Sequence, residues 1–281
     1  MKKNLYLLFL LMFNIFTKAQ TYVDIAQFGE FKNAASFSIN SAGFFYISDS
    51  QTNEVIKTDS LGNILKVIGG FGWTENTFDN PADISANILS VYVADKNNNR
   101  IQVFDKDLNF VSAFSNYDNG NEKTQFKYPT AVAVSNQGDI YILDSDNKRV
   151  LKYNMKGDFL ASIGGIDSGN YQLTDPKKIC IDSFEDLLIL NSNSIVAYDL
   201  FGNNLSKINL PFEAASINSF RNLILVSNNN SFMVLRNSGA GKFEIETNLR
   251  QLNLNDEIVE TNFFNNKLYV LTKSAIHVFA K

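Results

Sequence analysis

VYVADKNNNRIQVFD, residues 91–105, is an apolar run that ends on a carboxylate, a polar turn, and an alternating run that opens on Arg100. That order is the pattern of a two-stranded hairpin. Relatives of the stretch recur along the chain: FYISDSQTNEVIKTD at 45–59, IYILDSDNKRVLKYN at 140–154, then looser copies in LLILNSNSIVAYD, ILVSNNNSFMVLR and YVLTKSAIHVFA. Self-similarity of this kind points to a repeat architecture. A further short strand precedes each hairpin, as in AVAVS at 131–135, and another follows most of them, as in FLASIG at 159–164. Four strands in roughly 35–49 residues is the period of a propeller blade.

Proline placement supports the same register. Pro81, Pro129, Pro176 and Pro211 are the only prolines, and each falls where one unit hands over to the next. Proline cannot donate to a strand ladder, so it belongs at such junctions. Three junctions read FDNP, FKYP and LTDP, and the first unit is entered through FKNA, with Ala34 in the proline position. Unit starts are therefore predicted near 34, 81, 129, 176, 211 and 258.

With their strand, Asp, Asn-rich turn, Arg and closing Phe-x-x-Pro, units one to three resemble NHL repeats. The resemblance covers residues 31–176, and 177–281 follow it by pattern only. It implies an all-β, six-bladed β-propeller of four-stranded antiparallel blades, in agreement with the count of six. It says little about function, because propellers host binding, scaffolding and several hydrolytic or lyase chemistries. The last unit supplies VETNFF, KLYVLT and AIHVFA, one strand short of a blade, whereas TYVDIAQFG at 21–29 matches the outermost strands ILKVIGG and FLASIGG. The 21–29 strand is therefore expected to pair with 275–280 and close the ring, leaving no orphaned edge between first and last blades.

MKKNLYLLFLLMFNIFTKAQ reads as a secretory signal peptide over 1–19, cut after Ala19, followed by one propeller domain over 20–281. The apolar run from Leu5 to Phe16 is shorter than the roughly 20 residues a spanning helix needs. The single cysteine, Cys180, is far from the cleavage site and has no partner for a disulfide, so no lipid anchor is expected. The expected compartment is the periplasm, with secretion as the alternative. A formal charge of −4, made more acidic by loss of three leader lysines, offers little to phosphate backbones, and nucleic acid is not an expected partner.

Across the units, the position of Asp95 is filled by Asp49, Asp95, Asp144, Asn191, Ser227 and Thr272. All six are short side chains able to accept from turn N–H groups. A catalytic carboxylate would not tolerate that series, so these residues are expected to be structural turn caps. Asparagine in place of Asp95 is expected to serve the turn equally well. Arg100 and Arg149 are expected to reach their hairpins or a neighbouring blade, while Glu54 holds the same place in unit one. An exposed Asp–Arg pair would stabilise by only about 0–1 kcal/mol.

No catalytic set is apparent. His277 is the only histidine, which excludes the three-His zinc site of peptidyl-glycine lyases built on an NHL-like propeller, and also a paraoxonase-type His dyad. Cys180, in KICID, is expected to be a small buried hydrophobe. A calcium-dependent, lactonase-like hydrolase needs carboxylates and an asparagine rather than histidine, and Asp83 and Asp182 are acids that could face a channel, although their positions look scattered. Neither the Asn-rich turns nor GGFGW completes a calcium-loop or phosphate-loop motif. No metal and no cofactor are expected.

The distinctive feature is asymmetry. Units one to three carry long connections, GGFGWTENTFDNP, SNYDNGNEKTQFKYP and GGIDSGNYQLTDP, and the later ones are clipped. These loops, expected on the face of the Asp-to-Arg turns, carry Phe71, Trp73, Tyr117, Tyr128 and Tyr171, whereas Phe78 and Phe126 belong to the repeated junction and should pack beneath it. Aromatic side chains on polar loops suit partner binding. The expected function is non-enzymatic: binding or scaffolding an envelope or outer-membrane protein, on the periplasmic side of a transport or secretion complex. A calcium-dependent hydrolase and a glycan-binding module are the alternatives.

Overall fold

A computed structural model describes residues 22–115, 121 and 123–281. Six four-stranded antiparallel sheets form the blades of a propeller. Blade 1 comprises Ala34–Ile39, Phe45–Asp49, Glu54–Thr58 and Ile64–Gly69; blade 2, Pro81–Ala86, Ser90–Asp95, Arg100–Asp105 and Phe110–Phe114; blade 3, Ala131–Val134, Ile140–Asp144, Arg149–Tyr153 and Phe159–Ile163. Blade 4 comprises Pro176–Ile181, Leu187–Asn191, Ser194–Tyr198 and Asn204–Asn209; blade 5, Ser216–Phe220, Leu223–Ser227, Ser231–Asn237 and Phe243–Gln251. Blade 6 takes Ile258–Phe264, Lys267–Thr272 and Ile276–Ala280 from the end of the chain and Val23–Phe28 from its beginning. Val23–Phe28 pairs with Ile276–Ala280, closing the ring as the unmatched end strands predict, and His277 Nδ1 lies 2.9 Å from Asp24 Oδ2 across this pair.

Four innermost strands start at the predicted positions 34, 81, 176 and 258. Blades 3 and 5 start later, at Ala131 and Ser216. In blade 5 the cause is local: Pro211 lies in the junction and residues 212–215 intervene before the ladder begins with Ser216 opposite Ser227.

The middle strands of each blade are apolar on both faces because each blade is packed between two others. In Leu187–Asn191, Leu187 and Ile189 join the cluster shared with blade 3, and Leu188 and Leu190 join the one shared with blade 5. Side chains alternate along a strand, so one apolar run supplies two interfaces. A cluster of this kind fills each of the six interfaces. Truncating one such leucine to alanine typically costs about 2–5 kcal/mol.

In blades 1 to 4 the turns between the third and fourth strands are stapled by an Asp–Asn pair. Asp59, Asp105 and Asp199 each accept backbone N–H groups two and four residues on, and the side-chain amides of Asn63, Asn109 and Asn203. Blade 3 exchanges the two residues, so that Asn154 Nδ2 donates to Asp158 Oδ2 and the staple persists. The fourth turn residue has positive φ, which glycine adopts without a Cβ penalty; it is Gly62, Gly157 and Gly202 in three blades and Leu108 in the fourth.

Candidate functional site

On the opposite face, the hairpin turns and the inter-blade loops are tied together. Asp95 is buried and accepts the Asp79 N–H at 2.8 Å, Asn98 Nδ2 at 2.9 Å and Arg100 Nε at 2.8 Å. Arg100 then donates onward to the carbonyls of Trp73 at 2.7 Å and of Thr74 and Thr77 at 2.9 Å. Arg149 repeats this in blade 3, with Nε on Asp144 and Nη2 on the Gln125 carbonyl. Asp49 has no arginine and accepts four backbone N–H groups, those of Lys32, Asn33, Gln51 and Thr52. Asn191 Oδ1 accepts the N–H groups of Thr174 and Asp175. Ser227 pairs with Ser216, and Thr272 with Ala275.

The polar series thus anchors the incoming junction in blades 1, 2 and 4 as well as, in places, its own turn. The Asp95–Arg100 pair, with Asp95 buried and Arg100 partly so, is not exposed as the sequence suggested, because the 70–80 loop folds over it. Burial raises the Asp95 pKa, against the lowering contributed by Asn98, the Asp79 N–H and Arg100.

The long connections run over 70–80, 115–130 and 164–175, the short ones over 210–215, 252–257 and 29–33. In the first long loop Phe71 and Trp73 are 69% and 74% exposed, while Phe78 and, in the second, Phe126 are fully buried. Asn98 Nδ2 donates to the Gly72 carbonyl at 2.8 Å. On the other side of the same turn, Asn99 Oδ1 accepts the Tyr128 N–H at 2.8 Å. The turn 96–100 therefore brings the Trp73 loop and Tyr128 to one neighbourhood. Tyr128 is 45% exposed and has φ +48°, a left-handed conformation matched by Asn80 one junction earlier. Asparagine tolerates that region far better than an aromatic residue.

Tyr171 does not join them. It is half-buried against the cluster between blades 3 and 4, and its carbonyl accepts from Tyr198 Oη at 2.6 Å. Its expected exposure is corrected by that packing. Tyr117 lies outside the described residues.

The channel holds a cluster that the sequence reading missed. Lys178 Nζ lies 2.6 Å from Asp83 Oδ1, 3.4 Å from Glu260 Oε1 and 3.1 Å from Ser36 Oγ. Ser36 Oγ is 2.6 Å from Asp83 Oδ1 and 2.9 Å from Glu260 Oε2. The Val132 N–H donates to Asp83 Oδ2, the Phe37 N–H to Glu260 Oε2, and Asn218 Nδ2 to Glu260 Oε1. All six blades contribute. Burial acts to lower the Lys178 pKa, but Asp83 and Glu260 outweigh it and the net shift is upward, which favours the charged ammonium.

A local device aims this ring inward. The innermost strands of blades 1, 2, 4 and 6 break register between Ala34 and Ser36, Pro81 and Asp83, Pro176 and Lys178, and Ile258 and Glu260. Such bulges re-aim the following side chain. Blades 3 and 5 lack the break and place Ala131 and Ile217 at the equivalent register. Asp83 therefore converges with other groups, contrary to its scattered appearance in sequence. Asp182 does not: it accepts the N–H groups of Phe184 and Asp186 and the Asn237 side-chain amide, between blades 4 and 5. Among the described residues no three His, Cys, Asp or Glu side chains are arranged to hold a metal. Burial first, then the charges of Asp182 and Glu260, push the Cys180 thiol well above its usual pKa, which keeps it unreactive.

Fold and junctions together define a six-bladed β-propeller with NHL-type repeats. Residues 119–263, slightly more than half of the chain, match the family model described as 6-bladed beta-propeller (DUF5128), and the chain belongs to that family. The NHL repeat model matches residues 78–104. Protein brain tumor of Drosophila melanogaster is 42% identical over 74 residues, which are 26% of this chain and 7% of that protein, so the chain spans a small fraction of that relative. Virginiamycin B lyase from Staphylococcus aureus superposes with a TM-score of 0.61 at 14% identity, over 88% of this chain and 80% of the lyase. U3-55K superposes with a TM-score of 0.66 at 10% identity, over 91% and 98%. At such identities the likeness concerns the fold alone.

Proposed function

We propose that this propeller is an exported, non-enzymatic binding module that docks on another envelope protein through the loop face of blades 1 to 3. The observation that carries the reading is the presentation of Phe71 and Trp73: two largely exposed rings on a loop whose carbonyls are clamped by Arg100 and Asn98. Rigid aromatic anchors bind with little loss of conformational entropy. Tyr128 supports it. A half-exposed aromatic residue occupies a strained backbone position where the preceding junction uses asparagine, and strain of this kind gathers at functional sites. The chain has no helix, among the described residues, long and apolar enough to cross a membrane, consistent with a module recruited by a membrane-embedded partner such as a transport or secretion complex.

The hydrolase alternative requires a cation among carboxylates and an asparagine at the centre, and there the Lys178 ammonium already holds Asp83 and Glu260. A glycan binder would use the same rings. Affinity purification of the tagged chain from detergent-solubilised envelopes tests the reading. Stoichiometric co-purification with an envelope protein is expected, and recovery as a bare monomer or only on a glycan resin would overturn it.

A further inference from the structure

Beyond the ring, the channel continues toward the turns that join first and second strands as a cup of about 180 Å³. Its floor is Asp83, Lys178 and Glu260; its walls include Ser85, Asn218, Ser219 and Asn262, with Ile39, Ala86, Val134 and Ile181 forming an apolar collar. We propose that the cup binds a small primary ammonium group carried on a short apolar stem. The loop face plays no part in this site.

Hydrogen-bond polarity carries the assignment. Asn218 Nδ2 donates to Glu260 Oε1 at 2.9 Å and to the Thr261 carbonyl at 3.1 Å, leaving Oδ1 to accept. The Ser219 hydroxyl proton goes to the Ile181 carbonyl at 2.7 Å, leaving its lone pairs. Asn262 Oδ1 is buried away from the cup and adds no acceptor there. Blade 5 thus offers the cup two acceptors, which a ligand's donors can meet.

The charge agrees in sign. Two carboxylates face one ammonium in the floor, an excess of one negative charge in a largely desolvated site, where its field is strong. The ring already demonstrates the chemistry, since the group it holds is an alkylammonium. The volume lies below the roughly 300 Å³ at which drug-sized pockets begin, which limits the occupant to a few heavy atoms and suits a free amine or the end of a lysine side chain.

Titration calorimetry of the whole propeller with n-butylammonium, n-butanol and butyrate tests the assignment. Saturable binding of n-butylammonium with a Kd on the order of 1–10 mM is expected, at least fivefold tighter than n-butanol, with no binding of butyrate. Ser85→Val, which narrows the cup from blade 2, should weaken it at least fivefold while the melting temperature without amine stays put; if that variant fails to fold, Ser219→Ala, which removes one acceptor, should do the same. A lysine tripeptide capped at both ends separates the sources: tighter binding than n-butylammonium assigns the cup to a partner's side chain, and weaker binding to a free amine. Preference for butyrate, equal binding of amine and alcohol, or no binding of n-butylammonium would overturn the proposal.

Discussion

Arg100 Nη1 donates to the carbonyl of Trp73 at 2.7 Å, so the arginine that closes one hairpin also fixes the backbone of the most exposed aromatic side chain among the described residues of the loop face. The guanidinium makes four bonds in this role, one to Asp95 and three to the loop. A lysine has the charge but not the planar fork. Arg100→Lys should therefore cost about 1–3 kcal/mol in denaturant unfolding and make the 73–77 segment the first site of proteolytic nicking. Unchanged stability and cleavage would show that the loop is held elsewhere.

Because the loop is held through its carbonyls, the Trp73 ring is separable from the fold. Trp73→Ala should leave the melting temperature within a degree or two and weaken partner binding by roughly thirtyfold or more, as expected for an interface anchor of about 2 kcal/mol. Phe201→Ala, on the opposite face, should change binding far less. A Trp73→Ala protein that unfolds would make the loop structural.

Asp95 is less replaceable than its repeat position suggests. Asn98 Nδ2 and Arg100 Nε both donate to Oδ2, and an asparagine that keeps its oxygen on the Asp79 N–H turns an NH2 group toward those donors. Asp95→Asn is expected to lose about 1–3 kcal/mol, whereas Asp49→Asn, facing no arginine, should lose less. Equal losses measured by urea denaturation would contradict this account of the arginine's role.

Lys178→Met removes the only cation of the ring and leaves Asp83 and Glu260 buried without compensation. A loss of about 3–5 kcal/mol is expected. Adding Asp83→Asn and Glu260→Gln should restore most of it, since charge and not shape is at fault. A single variant as stable as the parent would mean that solvent reaches the ring.

Asp186 supplies a pH dependence. Burial, then the neighbouring charges of Asp182 and Asp199, raise its pKa from 3.8 to about 6, and its Oδ2 has no hydrogen-bond partner. A carboxyl whose pKa is raised by folding binds its proton more tightly in the folded state. Its stabilising contribution is complete below its unfolded value and disappears as the pH rises through about 6. Stability should fall by up to about 3 kcal/mol across this window, less where solvent screens the charges, and Asp186→Asn should flatten that part of the profile and exceed the parent at pH 7. Parallel profiles for the two proteins would refute the shift.

Blade count, closure and the partition between long and short connections were legible because each rests on local pattern: apolar runs of strand length, prolines at junctions, and an unmatched strand at either end. The channel ring was not. Ser36, Asp83, Lys178 and Glu260 each stand two residues after a unit start, at 34, 81, 176 and 258, so they share a column of the repeat. That column holds a hydroxyl, two acids and a base, whose complementarity appears only when the blades are set around an axis. The Asp59–Asn63 and Asn154–Asp158 staples are the opposite case, in which an exchange of partners within five residues keeps the same bond and can be seen in the sequence alone. Tyr171 misled because its burial depends on Tyr198, a strand of the next blade.

Strand Val23–Phe28 and strand Ile276–Ala280 meet across the whole length of the domain, and the Asp24–His277 contact joins residues 253 positions apart. Closing so long a loop is slow, because its entropic cost precedes the contacts that repay it. During synthesis the early blades can assemble in order, yet the edge that completes the sixth waits on the arrival of residues 276–280. Until then the 23–28 strand is an open β-edge on a nearly finished disc, and this interval is the one in which two growing copies could exchange strands and lock as a swapped pair.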